Sequence, residues 1–227
     1  MTEKIYPPQL VTNARMLYFC WVPADPSGAA SMLPKGLEPA NNQAIFINQY
    51  VVDRDTQTSH FGAYSLTYMG LDLNGLHVDE NTPGRYWTHY LNSNDRMRTY
   101  AKESGIPAEE GKTELKINNS ILVATTYSEN GTAIIRSTLK VGEKISDQVR
   151  GHLRYITMNN GQLESGRYAY VGSIVDSFEV LALEFLDPNH SCYKLRPLDP
   201  LEVTFGFYSP SSSFCYPGGI EILKNNG

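Results

Sequence analysis

ILVATTYSENGTAIIRSTLKV, residues 121–141, sets two β-branched runs on either side of Asn130-Gly131. Such runs suit a pleated, half-buried surface, and Asn-Gly accepts the positive φ of a two-residue turn, so the stretch predicts a β-hairpin. Asn74-Gly75 and Asn160-Gly161 repeat the signal on either side of it. Further out, residues 201–208 (LEVTFGFY) alternate Leu201, Val203, Phe205 and Phe207 with Glu202, Thr204 and Gly206, as a half-buried strand does. Residues 168–186 read as two strands or one long bent strand, and Met16–Val22 as another apolar strand.

Helices are few. Asp25 as N-cap and Pro26 at the first helical position predict a short helix over 25–33. A second is predicted over 94–104, capped by Asn92, Ser93 or Asn94. Met97, Tyr100 and Ala101 form its apolar stripe, Arg98 and Lys102 stand toward its C-terminal end, and Gly105 stops it. PLDP (197–200) and SPSSS (209–213) read as short loops, and no segment resembles a linker or repeat. The expected fold is mainly β: one antiparallel domain spanning 1–227, a barrel or two packed sheets, with one or two peripheral helices.

Composition narrows the function. The 227 residues carry a net charge of −5 with no block of like charge, which argues against a nucleic-acid surface. No apolar run is long enough for a membrane helix, and MTEKIYPPQL does not read as a signal peptide. Cys20, Cys192 and Cys215 are odd in number and lack a CxxC pair, so neither a disulfide framework nor a thiolate zinc site is expected. The expectation is a soluble cytoplasmic protein with a small-molecule partner and no metal or cofactor.

Common catalytic motifs (GxSxG, HExxH, the P-loop, GxGxxG) are missing. His89, within the aromatic run RYWTHYLNSN (85–94), can be read as a pocket acid or base or as a satisfied structural histidine. Strand alternation groups it with Trp87 and Leu91 and sets Tyr86, Thr88 and Tyr90 on the other face. Arg15 can clamp a carboxylate or sit on the surface. Glu109 and Glu110 belong to a turn, solvated or, if one is buried, basic. FGFYSPSSSFCYPGG (205–219), with Phe207 and Cys215, reads as a pocket lining or a barrel corner.

In order, NARMLYFCWVPAD (13–25), LPKGLEP (33–39), FGAYSLTYMG (61–70) and RYWTHYLNSNDRMRTYAKESGIP (85–107) resemble the acetoacetate decarboxylase family. The similarity is diffuse and covers about 10–220. It implies a cone-shaped antiparallel β-barrel wrapped by further β-structure, a ligand pocket inside the barrel, and a homo-oligomer. In that family a lysine in a Pro-Lys-Lys-x-Gly turn forms an imine with the substrate ketone, and its neighbour lowers its pKa. Here Ala108 and Glu109 stand between Pro107 and Gly111 where the lysine pair belongs. One family glutamate falls near Ile47, Asn48 or Gln49, the other near Leu66. Arg15 matches the family's arginine, and Glu103, in Ala101-Lys102-Glu103, the glutamate of its Gly-Arg-Glu.

Three readings stay open. The first is an imine-free enzyme, a lyase, isomerase or cyclase acting on a carbonyl or carboxylate metabolite, polyketide-like and of secondary metabolism. Arg15, His89 and Glu109 are its catalytic residues, with Tyr90, Glu103, Phe207 and Cys215 against the substrate. The second is a Schiff-base decarboxylase or aldolase using a relocated lysine, Lys112 or Lys116. The third is a non-catalytic binding protein with an apolar pocket.

Overall fold

A computed structural model describes residues 4–80 and 82–223. The chain forms β1 (Gln9–Trp21), α1 (Pro26–Ala30), β2 (Ile45–Val52), β3 (Tyr64–Leu73), β4 (Gly84–Asn92) and α2 (Asp95–Glu103). Then follow β5 (Ala108–Asn118), β6 (Ile121–Ser128), β7 (Ala133–Val141), β8 (Ile145–Asn159), β9 (Gln162–Val175), β10 (Phe178–Phe185), β11 (Val203–Tyr216) and β12 (Glu221–Ile222).

Seven strands close a barrel in the order β1-β2-β3-β4-β8-β9-β11 and back to β1. Every neighbour is antiparallel except β4–β8, a short parallel seam through Arg85 and Tyr86. A second sheet, β5-β6-β7-β10, is joined to the barrel where Tyr90–Asn92 of β4 pair in parallel with Ala108–Glu110 of β5. The mainly-β barrel wrapped by further strands is therefore as expected, with two α-helices among the described residues.

Strand alternation divides the core in two. Tyr18, Phe46, Tyr50, Tyr68, Trp87, Tyr168 and Phe214 fill the barrel interior. Leu17, Phe19, Ile45, Ile47, Met69 and Leu91 point outward, against Leu115, Leu122, Ile135 and Leu139 of the outer sheet. A buried polar line pins the two layers: Gln49 Nε2 donates to Thr126 Oγ1 at 2.9 Å, and Thr67 Oγ1 lies 2.6 Å from Thr126 Oγ1 and 2.7 Å from Thr113 Oγ1. Each hydroxyl is satisfied by another, which removes the cost of burying it.

Local signals were read correctly where the chemistry is local. Asp25 accepts from Gly28 N and Asn94 from Met97 N, capping α1 and α2, and Gly105 follows α2 at φ 68°. The hairpin of 121–141 forms, yet its loop spans Glu129–Thr132, with Asn130 Oδ1 accepting from Thr132 N at 3.0 Å. The two-residue turn with both φ positive belongs instead to Asn160-Gly161, and again to Asn119-Ser120. Residues 209–213 are not a loop: Pro210 lies inside β11, where the register with β1 shifts between Ser209 and Ser212, and an irregular register tolerates the missing N–H. Residues 108–111 are likewise not a turn but the first residues of β5. β8, with Asp147, Arg150, His152 and Arg154 along it, carries too much charge to read as a strand in isolation.

Candidate active site

The barrel holds a cavity of about 380 Å³, lined from β1 (Met16, Tyr18, Cys20), β2 (Asn48), β3 (Asp72), β4 (Arg85), β8 (Leu153), β9 (Tyr168, Tyr170) and β11 (Phe205, Phe207, Ser212, Phe214). Its mouth lies at the end where Asn42, Thr82 and Thr204 contribute, and Phe205, 57% exposed, stands at that rim. The rest of the interior is filled by rings. Trp87 stacks on Tyr155 at 4.6 Å and on Tyr90 at 5.7 Å.

Arg85 and Asp72 are the charged pair of this cavity. Arg85 Nε donates to Asp72 Oδ1 at 3.0 Å, and the side chains are only 12% and 8% exposed. The guanidinium carbon lies 5.0 Å from the Tyr18 ring centroid and 5.4 Å from that of Phe46, so the charge is held over two aromatic faces. The two Nη atoms have no hydrogen-bond partner among the described residues, and neither has Asp72 Oδ2. Burial raises the Asp72 carboxyl above its usual range, and Arg85 offsets part of that rise. Burial, with Asp72 nearby, pushes the Cys20 thiol up to about 11, so it stays protonated near neutrality and is no nucleophile there. Among the described residues, the cavity lining contains no lysine.

Of the residues singled out in the sequence, Phe207 lines this cavity. Tyr90 points into the barrel interior but packs among the rings beyond it. Arg15 lies on the outer face of β1, its Nε and Nη2 gripping Asp53 at 2.8 and 2.6 Å and its Nη1 on the Leu115 carbonyl. As a clamp inside the barrel it is corrected: the neighbouring inward positions are Ala14 and Met16, so strand alternation turns Arg15 away.

His89 is buried between the barrel wall and the segment 191–195. Its Nδ1–H donates to Thr88 Oγ1 at 3.0 Å, because the Thr88 hydroxyl itself donates to the Met69 carbonyl; Nε2 therefore accepts from Ser191 Oγ at 3.0 Å. Burial, with His190 beside it, lowers it to about 3, so it is a neutral, satisfied histidine. The expected grouping of Trp87 with His89 fails for one reason. Met69 pairs with His89 and Gly70 with Trp87, leaving Thr88 as an extra residue, and this bulge sends Trp87 and Tyr90 inward and His89 and Leu91 outward. Gly70 permits it, since a Cβ there would lie 1.8 Å from the Tyr86 carbonyl oxygen.

Glu109 is exposed on β5, 3.8 Å from His190 Nε2, and Glu103 is exposed with Lys4 at 3.1 Å. Cys215 alternates with the inward Phe214 and Tyr216 and so faces out. None of these three reaches the cavity. Lys112 and Lys116 both clasp Glu114 on the outer sheet, at 2.8 and 2.7 Å. Ala108 does point into the barrel interior, as a methyl group where the resemblance implies an amine.

Sequence reasoning overlooked Asp72, Arg85 and Tyr168, and named Asn48, which lines the cavity, only as one of three positions for a family glutamate. A signal was present for two of those overlooked: Asp72 is a lone charge in the apolar run YSLTYMGLDL, and Arg85 stands in phase with Trp87 at the head of an aromatic strand. A charge kept inside such a run needs a partner, but nothing local shows that they partner each other.

Comparison with protein-family models and with curated proteins returned no match. Solved structures do match. Acetoacetate decarboxylase aligns with a TM-score of 0.66 at 15% identity, over 98% of this chain and 92% of that one. The acetoacetate decarboxylase of Legionella pneumophila aligns at 0.66 and 12% identity, over 100% and 93%. The enduracididine biosynthesis enzyme MppR, complexed with pyruvate, aligns at 0.67 and 14% identity, over 98% and 93%. Across nearly its whole length, this chain has the acetoacetate decarboxylase-like fold.

Proposed function

We propose that this protein is an acetoacetate decarboxylase-like enzyme that binds a small carboxylate- or carbonyl-bearing metabolite inside the barrel and moves a proton beside its carbonyl without forming an imine. The observation that supports this most is the composition of the cavity, which among the described residues has one guanidinium, one raised carboxyl, aromatic walls and no lysine. The free Nη atoms of Arg85 suit a carboxylate or a carbonyl oxygen. Asp72 Oδ2 is the base: it takes the proton from the carbon next to the carbonyl, the C–H pair becomes the C=C bond, and the carbonyl π electrons move to the oxygen held by Arg85. Returning the proton to the same or a neighbouring carbon completes an isomerisation; expelling a β-substituent completes an elimination. MppR was solved with pyruvate, and a 2-oxo acid is the first ligand class to try here. A cavity of about 380 Å³ also has room for a mid-sized metabolite. The homo-oligomer implied by the family resemblance belongs to the same reading.

The test is exchange of α-protons of pyruvate and 2-oxobutyrate in D2O, followed by proton NMR, with borohydride added to parallel samples and the intact protein weighed. Catalysed exchange that Asp72→Asn abolishes, with no mass increase, is expected. An adduct mapped to Lys112 or Lys116 would make the protein an imine enzyme instead. Binding without exchange would make it a carrier.

A further inference from the structure

A hydrogen-bonded chain beside the cavity has no part in the proton transfer above. Asn48 Nδ2 donates to Tyr68 Oη at 2.8 Å, and the Tyr68 and Tyr168 hydroxyls are 2.9 Å apart. Nδ2 also lies 3.5 Å from the Met16 sulfur, an acceptor, which orients the amide with its nitrogen on this side. The direction of the chain follows by counting protons. Tyr68 Oη accepts from Asn48 and does not line the cavity, so Tyr168 Oη is the described acceptor left for its own proton. Tyr168 accepts that proton, and its remaining O–H has no partner among the described residues.

Tyr168 and Asn48 both line the cavity. At the head of the chain, Asn48 Oδ1 is buried without a hydrogen-bond partner in a residue 3% exposed. A carbonyl in that position costs free energy until something donates to it. At the tail, burial raises the ionisation of Tyr168 well above the usual phenol range, so its hydroxyl keeps its proton. The cavity thus offers a neutral O–H donor and the Arg85 guanidinium, and the unfilled Asn48 acceptor lies buried in its wall.

We infer that Tyr168 is the hydrogen-bond donor to the substrate oxygen on which negative charge develops, alongside Arg85, and that Asn48 Oδ1 accepts from a hydroxyl of the same substrate, which is therefore a hydroxylated carbonyl compound. This rests on the carbonyl-binding site proposed above and adds to it a donor, an acceptor and a substrate class. Tyr68 is a positioning residue: by donating to Tyr168 it turns that hydroxyl's proton toward the ligand. A site built to bond a substrate hydroxyl rejects the analogue lacking it far more strongly than an apolar site does.

Calorimetric titration with β-hydroxypyruvate and pyruvate separates the outcomes. The wild-type protein is expected to bind β-hydroxypyruvate at least about tenfold more tightly than pyruvate, the factor typical of a made against an unmade buried hydrogen bond. Asn48→Leu should bring that ratio to about one. If it does not fold, Asn48→Asp, which keeps an acceptor, should keep the preference. Tyr168→Phe should weaken both probes about tenfold and keep the ratio. In protein labelled at tyrosine ¹³Cζ, adding β-hydroxypyruvate should shift the Tyr168 signal, and Tyr68→Phe should shrink that shift. Equal binding of the two probes by the wild type, or unchanged binding by Tyr168→Phe, would overturn this inference and leave the carbonyl site standing. Failure of both probes to bind the wild type would overturn the carbonyl site and this inference with it.

Discussion

Replacing Arg85 with Met keeps an unbranched apolar stem and removes the guanidinium that lies over Tyr18 and Phe46 and pairs with Asp72. The pair is close, 3.0 Å, and nearly enclosed, at 12% and 8% exposure. Removing one partner of such a pair costs roughly 3–5 kcal/mol, because the other charge stays buried. The lower figure, about 3 kcal/mol, applies here, since the cavity admits water to the site and Asp72 escapes part of the penalty by taking up a proton. The pH dependence follows from that escape. Burial sets the folded-state Asp72 carboxyl above its unfolded value, and without Arg85 nothing offsets the rise. The native state then holds the proton more tightly than the unfolded chain, so stability falls as pH rises from about 4 through the folded value and levels off above it. Urea unfolding should show Arg85→Met losing about 3 kcal/mol at pH 7 and clearly less at pH 5. Asp72→Asn leaves Arg85 with its Nη atoms toward the cavity and should cost less, with no such step. The double variant should lose at least about 1 kcal/mol less than the two single losses added together. A penalty for Arg85→Met that is the same at both pH values, or strict additivity in the double variant, would refute the buried, coupled pair.

Arg15→Met breaks a half-exposed ion pair on the outer face of β1 and should cost about 1 kcal/mol or less while leaving pyruvate titrations as in the wild type; a tenfold loss of binding would restore Arg15 as a ligand clamp. His89, held at about 3 in the folded state against about 6.5 unfolded, contributes stability that is fully present above pH 6.5 and lost as pH falls toward 3. Urea midpoints measured from pH 7 to 4 should show this fall of several kcal/mol in the wild type and a flatter profile in His89→Gln; identical profiles would show that another group carries the acid sensitivity.

Much of the local structure was legible in the residues themselves. The caps at Asp25 and Asn94 and the stop at Gly105 act within a few residues, and a motif of that length is complete in the sequence. Even there neighbours intervened: Asn130-Gly131 sits in a wider loop than its dipeptide suggests, because Asn130 also accepts from the Ser128 hydroxyl at 2.7 Å. The candidate site was far less legible. Arg15, His89 and Glu109 each had a plausible chemistry and each lies outside the cavity, since which face of a strand turns inward depends on its pairing.

What the sequence by itself determined is the β class, the few helices and the presence of Ala108 and Glu109 where the family resemblance expects a lysine pair, all of them properties of residues or of short runs. What only the tertiary structure decided is the closure of the barrel through the β4–β8 seam, the side of the wall on which each residue stands, and the meeting of Asp72 with Arg85 across two strands. The physical reason is that a strand's pattern has a period of two and no memory of its partner. A single extra residue, Thr88, moves His89 from one core to the other, and no local rule records where that residue will be left unpaired.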